Sequence, residues 1–523
     1  MAQIKVNDLT FSYEGSFDPI FEHVSFSIDT SWKLGFIGRN GKGKTTFLNL
    51  LLEKYEYSGT IAMDVPCDYF PYDVSPEDSD RTAEDLMDMW KPGVESWRVM
   101  RELSDLSVAA DLLYRPLSML SFGEKTKVML AVLFAGENDF LLIDEPTNHL
   151  DRDAREIVKE YLSGKKGFIL VSHDRDLLDA CVDHVLVLQR STIEVQVGNF
   201  SSWWANKEKA DSFAKAENEK HAKEIKRLKG AMTQSQHWAS KSENTKIGYD
   251  PVKEHDRSIS ARAYIGSKTK KMESRVKAYE QRIEKSIKEQ ESLLDDVEQI
   301  RDLKLSPLKH FKDRLVEARD LSLRYTDADE PVFTGLSFEI RNGERVFLEG
   351  RNGSGKSSLI KAILASARAS DTGSLTVSRS VTDAGDMVLE GTLQTASHLK
   401  ISYISQDTSH LHGDLKTYAM ENGLDYSLFL AVLWILALEQ TQFDKKIEDF
   451  SEGQKKKVLI AASLLTPAHL YVWDEPLNYV DVFSRMQLEK LIQEYSPTML
   501  IVEHDVRFAE EMATKTVSML KEE

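Results

Sequence analysis

Two nine-residue segments, GRNGKGKTT at 38–46 and GRNGSGKSS at 350–358, combine the residue types needed to grip a phosphate chain. Gly38, Gly41 and Gly43 permit the tight turns that aim backbone N–H groups at phosphate oxygens, with Asn40 inside the loop. Lys44 has the reach for the outer phosphates, Thr45 offers a hydroxyl to Mg2+, and Thr46 completes the segment. The second copy supplies Gly350, Asn352, Gly353, Gly355, Lys356, Ser357 and Ser358 in the same order. Each loop follows an apolar strand pattern, KLGFI or RVFLE, which is the context a phosphate loop requires.

Downstream, FLLIDEP and LYVWDEP each end an apolar run in two carboxylates. Burial explains the run but not the acidic pair at its tip. Asp144 and Asp474 are suited to hold Mg2+, directly or through water. Glu145 and Glu475 are placed to orient the attacking water or take its proton. His173 in FILVSHD and His504 in MLIVEHD recur in register, suited to contact the terminal phosphate or that water. Tyr13 and Tyr325 precede the loops; stacking on adenine and packing in a core remain equally open for them.

The elements that must position these residues come twice. The order phosphate loop, LSFGE or FSEGQ segment, carboxylate strand and histidine repeats over the whole chain, far longer than any solenoid period. The reading is α/β, with a first nucleotide-binding domain over 1–200 and a second over 315–523. A charged helical linker covers 201–314, folded as a hairpin with its tip near 232–260. An extra polar stretch near 366–398 reads as a surface loop or hairpin. A length of 523 residues suits two or three domains. Cys67 and Cys181 lie far apart and without metal-ligand spacing, which argues against a disulfide framework or structural zinc. No run approaches the roughly 20 apolar residues that span a bilayer, and the opening residues lack a signal core, so a cytoplasmic protein is expected.

The net charge of -18 hides an asymmetry. Residues 207–313 hold 25 Lys or Arg against 19 Asp or Glu, so the excess acid lies in the rest of the chain. Within 225–288 the basic excess sharpens to 16 against 7. An acidic body with a basic protrusion is compatible with a nucleic-acid partner. Lys226, Arg227, Lys229, Lys268, Lys270 and Lys271 are the candidate RNA-backbone contacts. Trp238, Ile247 and Tyr249 near the tip either stack on exposed bases or pin the fold of the tip. A plain spacer and a coiled-coil partner surface, using Val276, Tyr279, Ile283, Ile287 and Leu294, are the competing readings of the linker.

At LSFGE, DEPTNHLD and SHD the sequence resembles the ABC ATPase superfamily. The resemblance implies two domains facing head to tail, each ATP held between one phosphate loop and the other domain's signature segment. Lys44, Thr45, Asp144, Glu145 and His173 would then meet Ser451, Glu452 and Gly453. Lys356, Ser357, Asp474, Glu475 and His504 would meet Ser121, Phe122 and Gly123. Both signature segments also open helices, whose N-termini suit a triphosphate. Three departures stand out. Phe122 and Glu452 replace the usual glycine after the signature serine. Gln406 supplies the family's glutamine, also a magnesium ligand, whereas the first copy has Tyr72 there. NYVD around Asp481 replaces the fuller NHLD form of 148–151.

Two such halves in one chain with a helical linker resemble the ABC-F class, and segments such as DTSWKLGFIGRNGKGKTT and LYVWDEPLNYVDVF resemble its Lsa-type antibiotic resistance proteins. That resemblance implies an ATPase using ATP and Mg2+ on the bacterial 70S ribosome, its RNA and the peptidyl-site tRNA. Its linker would enter the exit-tRNA site and promote release of lincosamides, pleuromutilins and streptogramin A. It further implies closure within a monomer and no integral membrane partner. A drug-independent translation factor is the alternative, with a transporter ATPase subunit or an ATP-switched scaffold further off.

Overall fold

The alternation in QIKVNDLTF becomes the first strand of a computed structural model, which describes residues 2–13, 19–136, 139–148, 150–189, 191–247, 282, 304–326, 328, 330–370, 380–381 and 387–519. In the first half the strands are β1 (Gln3–Phe11), β2 (Phe21–Asp29), β3 (Lys33–Ile37), β4 (Ser58–Ala62), β5 (Cys67–Phe70), β6 (Phe140–Asp144), β7 (Phe168–Val171), β8 (His184–Leu188) and β9 (Ile193–Val197). β1 pairs antiparallel between β2 and β4, and its inward Ile4, Val6, Leu9 and Phe11 are buried. The other six form a sheet ordered β5-β6-β7-β3-β8-β9, parallel except for β9. Covered on both faces, its central strands read as unbroken apolar runs such as FLLI and FILV.

That order places the chemistry. β7 lies between β3 and β6, with Asp144 level with Val171 and Phe36 also level with Val171. The carboxylates, the histidine and the phosphate loop therefore leave adjacent strands at their carboxyl ends, where open α/β sheets bind ligands.

The second half repeats the plan with β10 (Arg314–Tyr325), β11 (Phe333–Arg341), β12 (Arg345–Glu349), β13 (Ser380–Val381), β14 (Met387–Thr395), β15 (Ile401–Ile404), β16 (Leu470–Asp474), β17 (Met499–Val502) and β18 (Lys515–Ser518). Its parallel sheet runs β15-β16-β17-β12-β18 and its antiparallel sheet β11-β10-β14-β13. Of the stretch near 366–398, expected as a surface loop or hairpin, the described part ends the helix Lys356–Ser370 and then forms the antiparallel pair β13 and β14. β14 pairs along β10, and its Met387, Leu389 and Leu393 are core residues. The alternation in MVLEGTLQT carries that pattern, whereas 371–379 and 382–386 lie outside the described residues.

The chain forms two compact units: Met1–Trp203 with Arg301–Glu523, and Trp204–Ile300. One helix of 48 residues, Phe200–Ile247, makes up the described part of the linker. It runs on through residues expected to open the tip, because 232–247 contains neither glycine nor proline; Gly248 and Pro251 follow it. Ile225 is buried, with Leu228 and Ala231 packed against it. The second arm with its apolar stripe, Tyr249, Lys268, Lys270 and Lys271 lie outside the described residues, as does His149. Among the described residues no helix is long and apolar enough to cross a membrane.

Candidate nucleotide-binding sites

The first phosphate loop turns through Gly41 and Gly43, at φ 80° and 108°. At Gly43 a Cβ would lie 2.5 Å from Ile20 Cγ2, so both conformation and space demand glycine. The helix Lys44–Leu51 starts directly behind it. Lys44 Nζ donates to Gly38 O at 2.7 Å, to Arg39 O and to Asn40 Oδ1. These are ligands of the loop itself, which an incoming phosphate would replace. Burial pushes the Lys44 ammonium below its ordinary value, against the pull of Asp481, Glu145 and Asp144. Lys356 repeats the posture on Gly350 O (2.6 Å) and Arg351 O (2.9 Å). Tyr13 and Tyr325 reach the helix behind each loop, Lys44–Leu51 and Lys356–Ser370, through their hydroxyls, to Thr46 Oγ1 at 2.8 Å and Ser358 Oγ at 2.5 Å. Both residues stay more than a third exposed.

At the carboxylate strands, Thr45 Oγ1 donates to Asp144 Oδ2 at 2.9 Å, and Ser357 bonds Asp474 in the second copy. Glu145 and Glu475 both occupy the left-handed region, φ 52° and 48°, a strain that the strand–turn junction holds in place. His173 Nε2 stands 3.2 Å from Glu145 Oε1, and His504 Nε2 stands 3.7 Å from Glu475 Oε1. The two pairs differ electrostatically. Burial, then the Asp144 charge, pushes Glu145 up to about 8, and burial holds His173 well below its usual range. Burial also pushes on Glu475, but the His504 imidazole and the Lys356 and Lys456 ammonium groups outweigh it and hold that carboxyl low. Gln406 Nε2 and Asn478 Nδ2 add hydrogen bonds to Glu475 Oε2 at 2.9 and 2.7 Å. Asp474 is raised to about 6, chiefly by burial. Asp474 Oδ1, Glu145 Oε1 and His504 Nε2 are buried without a hydrogen-bond partner. The orphaned Asp474 oxygen with the Ser357 hydroxyl, and Asp144 with the Thr45 hydroxyl beside the orphaned Glu145, are oxygen donor sets that fit a small hard cation such as Mg2+.

Each phosphate loop opens into a cleft of about 590 Å³ whose far wall belongs to the other half of the chain. In the first cleft Tyr13, Asn40, Gly41, Gly43, Lys44, Thr45, Thr46, Asp144, Glu145 and His173 face Ser451, Glu452, Gly453 and Tyr479. Asn40 Nδ2 donates to Tyr479 O at 2.7 Å, and Lys42 Nζ to Glu439 Oε1 at 2.9 Å. Gly38 takes part only through its carbonyl to Lys44. In the second cleft Tyr325, Asn352, Gly353, Gly355, Lys356, Ser357, Ser358, Gln406, Glu475 and His504 face Phe122 and Arg155. Ser121, Gly123, Gly350 and Asp474 do not line that cleft; Gly350 lines a cavity of about 210 Å³ that shares His504. Both signature serines sit as helix N-caps: Ser121 accepts from Glu124 N, and Ser451 from Gln454 N.

Several partners escaped the sequence reading. Tyr72, in register with Gln406, turns away: its hydroxyl donates to Asp68 Oδ2 at 2.8 Å and its ring stacks on Trp90. Lys91 locks that arrangement through Asp68 and Asp139. The group that does reach Asp144 is Tyr69, whose hydroxyl donates to Oδ2 at 3.2 Å. Its signal was a tyrosine at the same place in both copies, Tyr69 and Tyr403. Lys457 lines the first cleft and forms a buried ion pair with Asp481 at 3.1 Å. Lys226, Arg227 and Lys229 are exposed on the linker helix, Arg227 bonding Glu224; Trp238 lies on that helix too.

The family model described as ABC transporter matches residues 21–148 and again 333–478. Among curated proteins, the ribosome protection protein VmlR of Bacillus subtilis is 28% identical over 508 residues, covering 95% of this chain and 84% of that protein. The ATP-binding protein Uup of Caulobacter vibrioides is 25% identical over 514 residues, covering 96% of this chain and 75% of its own. Among solved structures, the archaeal ribosome recycling factor aABCE1, in complex with the stalk protein aP1, shares the fold with a TM-score of 0.58. It is 17% identical, over 98% of this chain and 87% of that one.

Proposed function

Because the chain belongs to the ABC transporter family, with two of its ATPase domains in tandem, we propose that it is an ABC-F ribosomal protection factor. ATP closes its halves, the linker enters the exit-tRNA site beside peptidyl-site tRNA, and large-subunit antibiotics of the lincosamide, pleuromutilin and streptogramin A classes are released. The reading places it in the cytoplasm, on the bacterial 70S ribosome, as a monomer. The observation that carries it is that the first phosphate loop shares a cleft with the signature segment of the other half. The likeness to a relative named for ribosome protection, along nearly the whole chain, supports the choice of partner.

In this reading Lys44 and Lys356 leave their loop carbonyls for the outer phosphates, which the loop amides cradle. Ser451 and Gly453 close on the first nucleotide; Ser121, Phe122 and Gly123 move in on the second. A Mg2+ ion held by Thr45 and Asp144, or by Ser357, Asp474 and Gln406, would neutralise charge on the phosphate oxygens. Glu145 and Glu475 orient the attacking water and take up its proton, with His173 and His504 beside them. Tyr13 and Tyr325, both partly exposed and lining their clefts, stack on adenine. ATP acts as glue, and its hydrolysis lets the factor leave.

The test is sedimentation of the Glu145→Gln, Glu475→Gln double variant with 70S ribosomes. ATP should trap it there, whereas ADP should not; no ATP-dependent retention ends the translational assignment. Expression of the unaltered protein in a susceptible host should raise tolerance to pleuromutilins and lincosamides. Retention without such tolerance would overturn the drug-release part.

A further inference from the structure

The first site lacks the glutamine of the second, yet its Asp144 carboxylate is held from two sides. We propose that Tyr69 is a positioning residue of the first site, fixing Asp144 for nucleotide and cation where the diverted Tyr72 makes no contact. This rests on the reading of Asp144 as a nucleotide-site carboxylate.

The geometry carries the case. Thr45 Oγ1 and the Tyr69 hydroxyl both donate to Oδ2 of Asp144, at 2.9 and 3.2 Å. Two donors on one oxygen fix the plane of the carboxylate and leave its other oxygen directed away from them. Tyr69 is itself fixed, packed against the first-half core on β5, which pairs with the strand bearing Asp144, and covered by the Lys54 ammonium 5.5 Å from its ring centre. Burial pushes its hydroxyl above the ordinary value, so it stays a donor. Tyr72 cannot serve, being tied to Asp68 and stacked on Trp90. At the second site the arrangement is different. Gln406 bonds Glu475 there, while Tyr403 feels the Asp474 charge without a hydrogen bond to it. Tyr69 is thus specific to one site.

The experiment measures binding of a fluorescent ATP analogue to the full chain carrying Lys356→Met, so that the first site dominates. Affinity is read with Mg2+ and again with the cation chelated. Tyr69→Phe removes only the hydroxyl; it should weaken Mg2+-dependent binding by about tenfold and leave chelated binding within about twofold. Tyr403→Phe, made in the unaltered chain, should change neither. Equal losses with and without Mg2+ would show a packing role and overturn the proposal, as would no loss at all. If the parent binds no analogue at the first site, the assignment of the site itself fails, an outcome distinct from these.

Discussion

Gly453 and Gly123 occupy equivalent signature positions but meet different neighbours. A Cβ on Gly453 would lie 2.7 Å from Tyr479 O, a backbone atom that cannot step aside cheaply. On Gly123 the nearest atom would be Leu150 Cδ2 at 3.6 Å, an ordinary contact within a helix. Gly453→Ala should therefore lower stability by about 1–3 kcal/mol, whereas Gly123→Ala should be neutral or stabilising by about 0.5–1 kcal/mol. Thermal unfolding of the nucleotide-free protein checks both. Because Tyr479 O also holds Asn40, Gly453→Ala should additionally weaken nucleotide binding at the first site. At this scale the residues that gather around the first phosphate loop were legible, since glycine, lysine and paired carboxylates at fixed offsets have few other uses, whereas Ser121, Gly123, Gly350 and Asp474 stand outside the second cleft. The tethers of the site residues were not legible. Tyr72 and Gln406 share a register, yet Tyr72 is tied to Asp68 and stacked on Trp90 while Gln406 reaches Glu475.

Among elements, the strands and the helices behind the phosphate loops were legible because their period and punctuation agree. The linker helix runs past its expected end because the polar residues of 232–247 include no glycine or proline to stop it. The bonds that join the two halves were not legible at all, since their partners lie hundreds of residues apart. Arg175, on the helix after His173, donates through both terminal nitrogens to Glu489 on Val482–Tyr495, one bond being 3.0 Å and both side chains buried. The mirror positions hold Val506 and Lys159, so the link is one-sided. Burial pushes Glu489 up to about 7 even with Arg175 pulling it down. The folded chain thus binds this proton more tightly than the unfolded chain. Its contribution to stability falls as pH rises from the ordinary carboxylate value to about 7. Without Arg175 the carboxyl would rise further, and the fall would continue above neutrality. Arg175→Ala should cost little near about pH 6 and up to about 3–5 kcal/mol near about pH 9. Pairing Arg175→Met with Glu489→Leu should recover most of it. A cost independent of pH, read from melting temperatures across that range, would mean that lost packing and not the stranded charge governs the link.

For the whole molecule, the net charge of -18 conceals a local basic excess in the linker. If the linker meets RNA, its cations act by displacing counterions, and their number sets how steeply affinity falls with salt. Lys226, Arg227 and Lys229 are exposed on a helix about 72 Å long, at the usual rise of about 1.5 Å per residue. Of the three, Arg227 bonds Glu224, so its guanidinium is shared with a protein carboxylate before any phosphate arrives. Replacing all three by Gln in the Glu145→Gln, Glu475→Gln background should weaken ATP-dependent ribosome retention. The slope of log affinity against log salt should flatten by about two to three units, close to one per lost contact. Nucleotide affinity, measured without ribosomes, should be unchanged. A uniform loss of retention with the slope preserved would point to a protein or steric contact in place of phosphate. An unchanged affinity and slope would move the RNA contact off this helix face altogether.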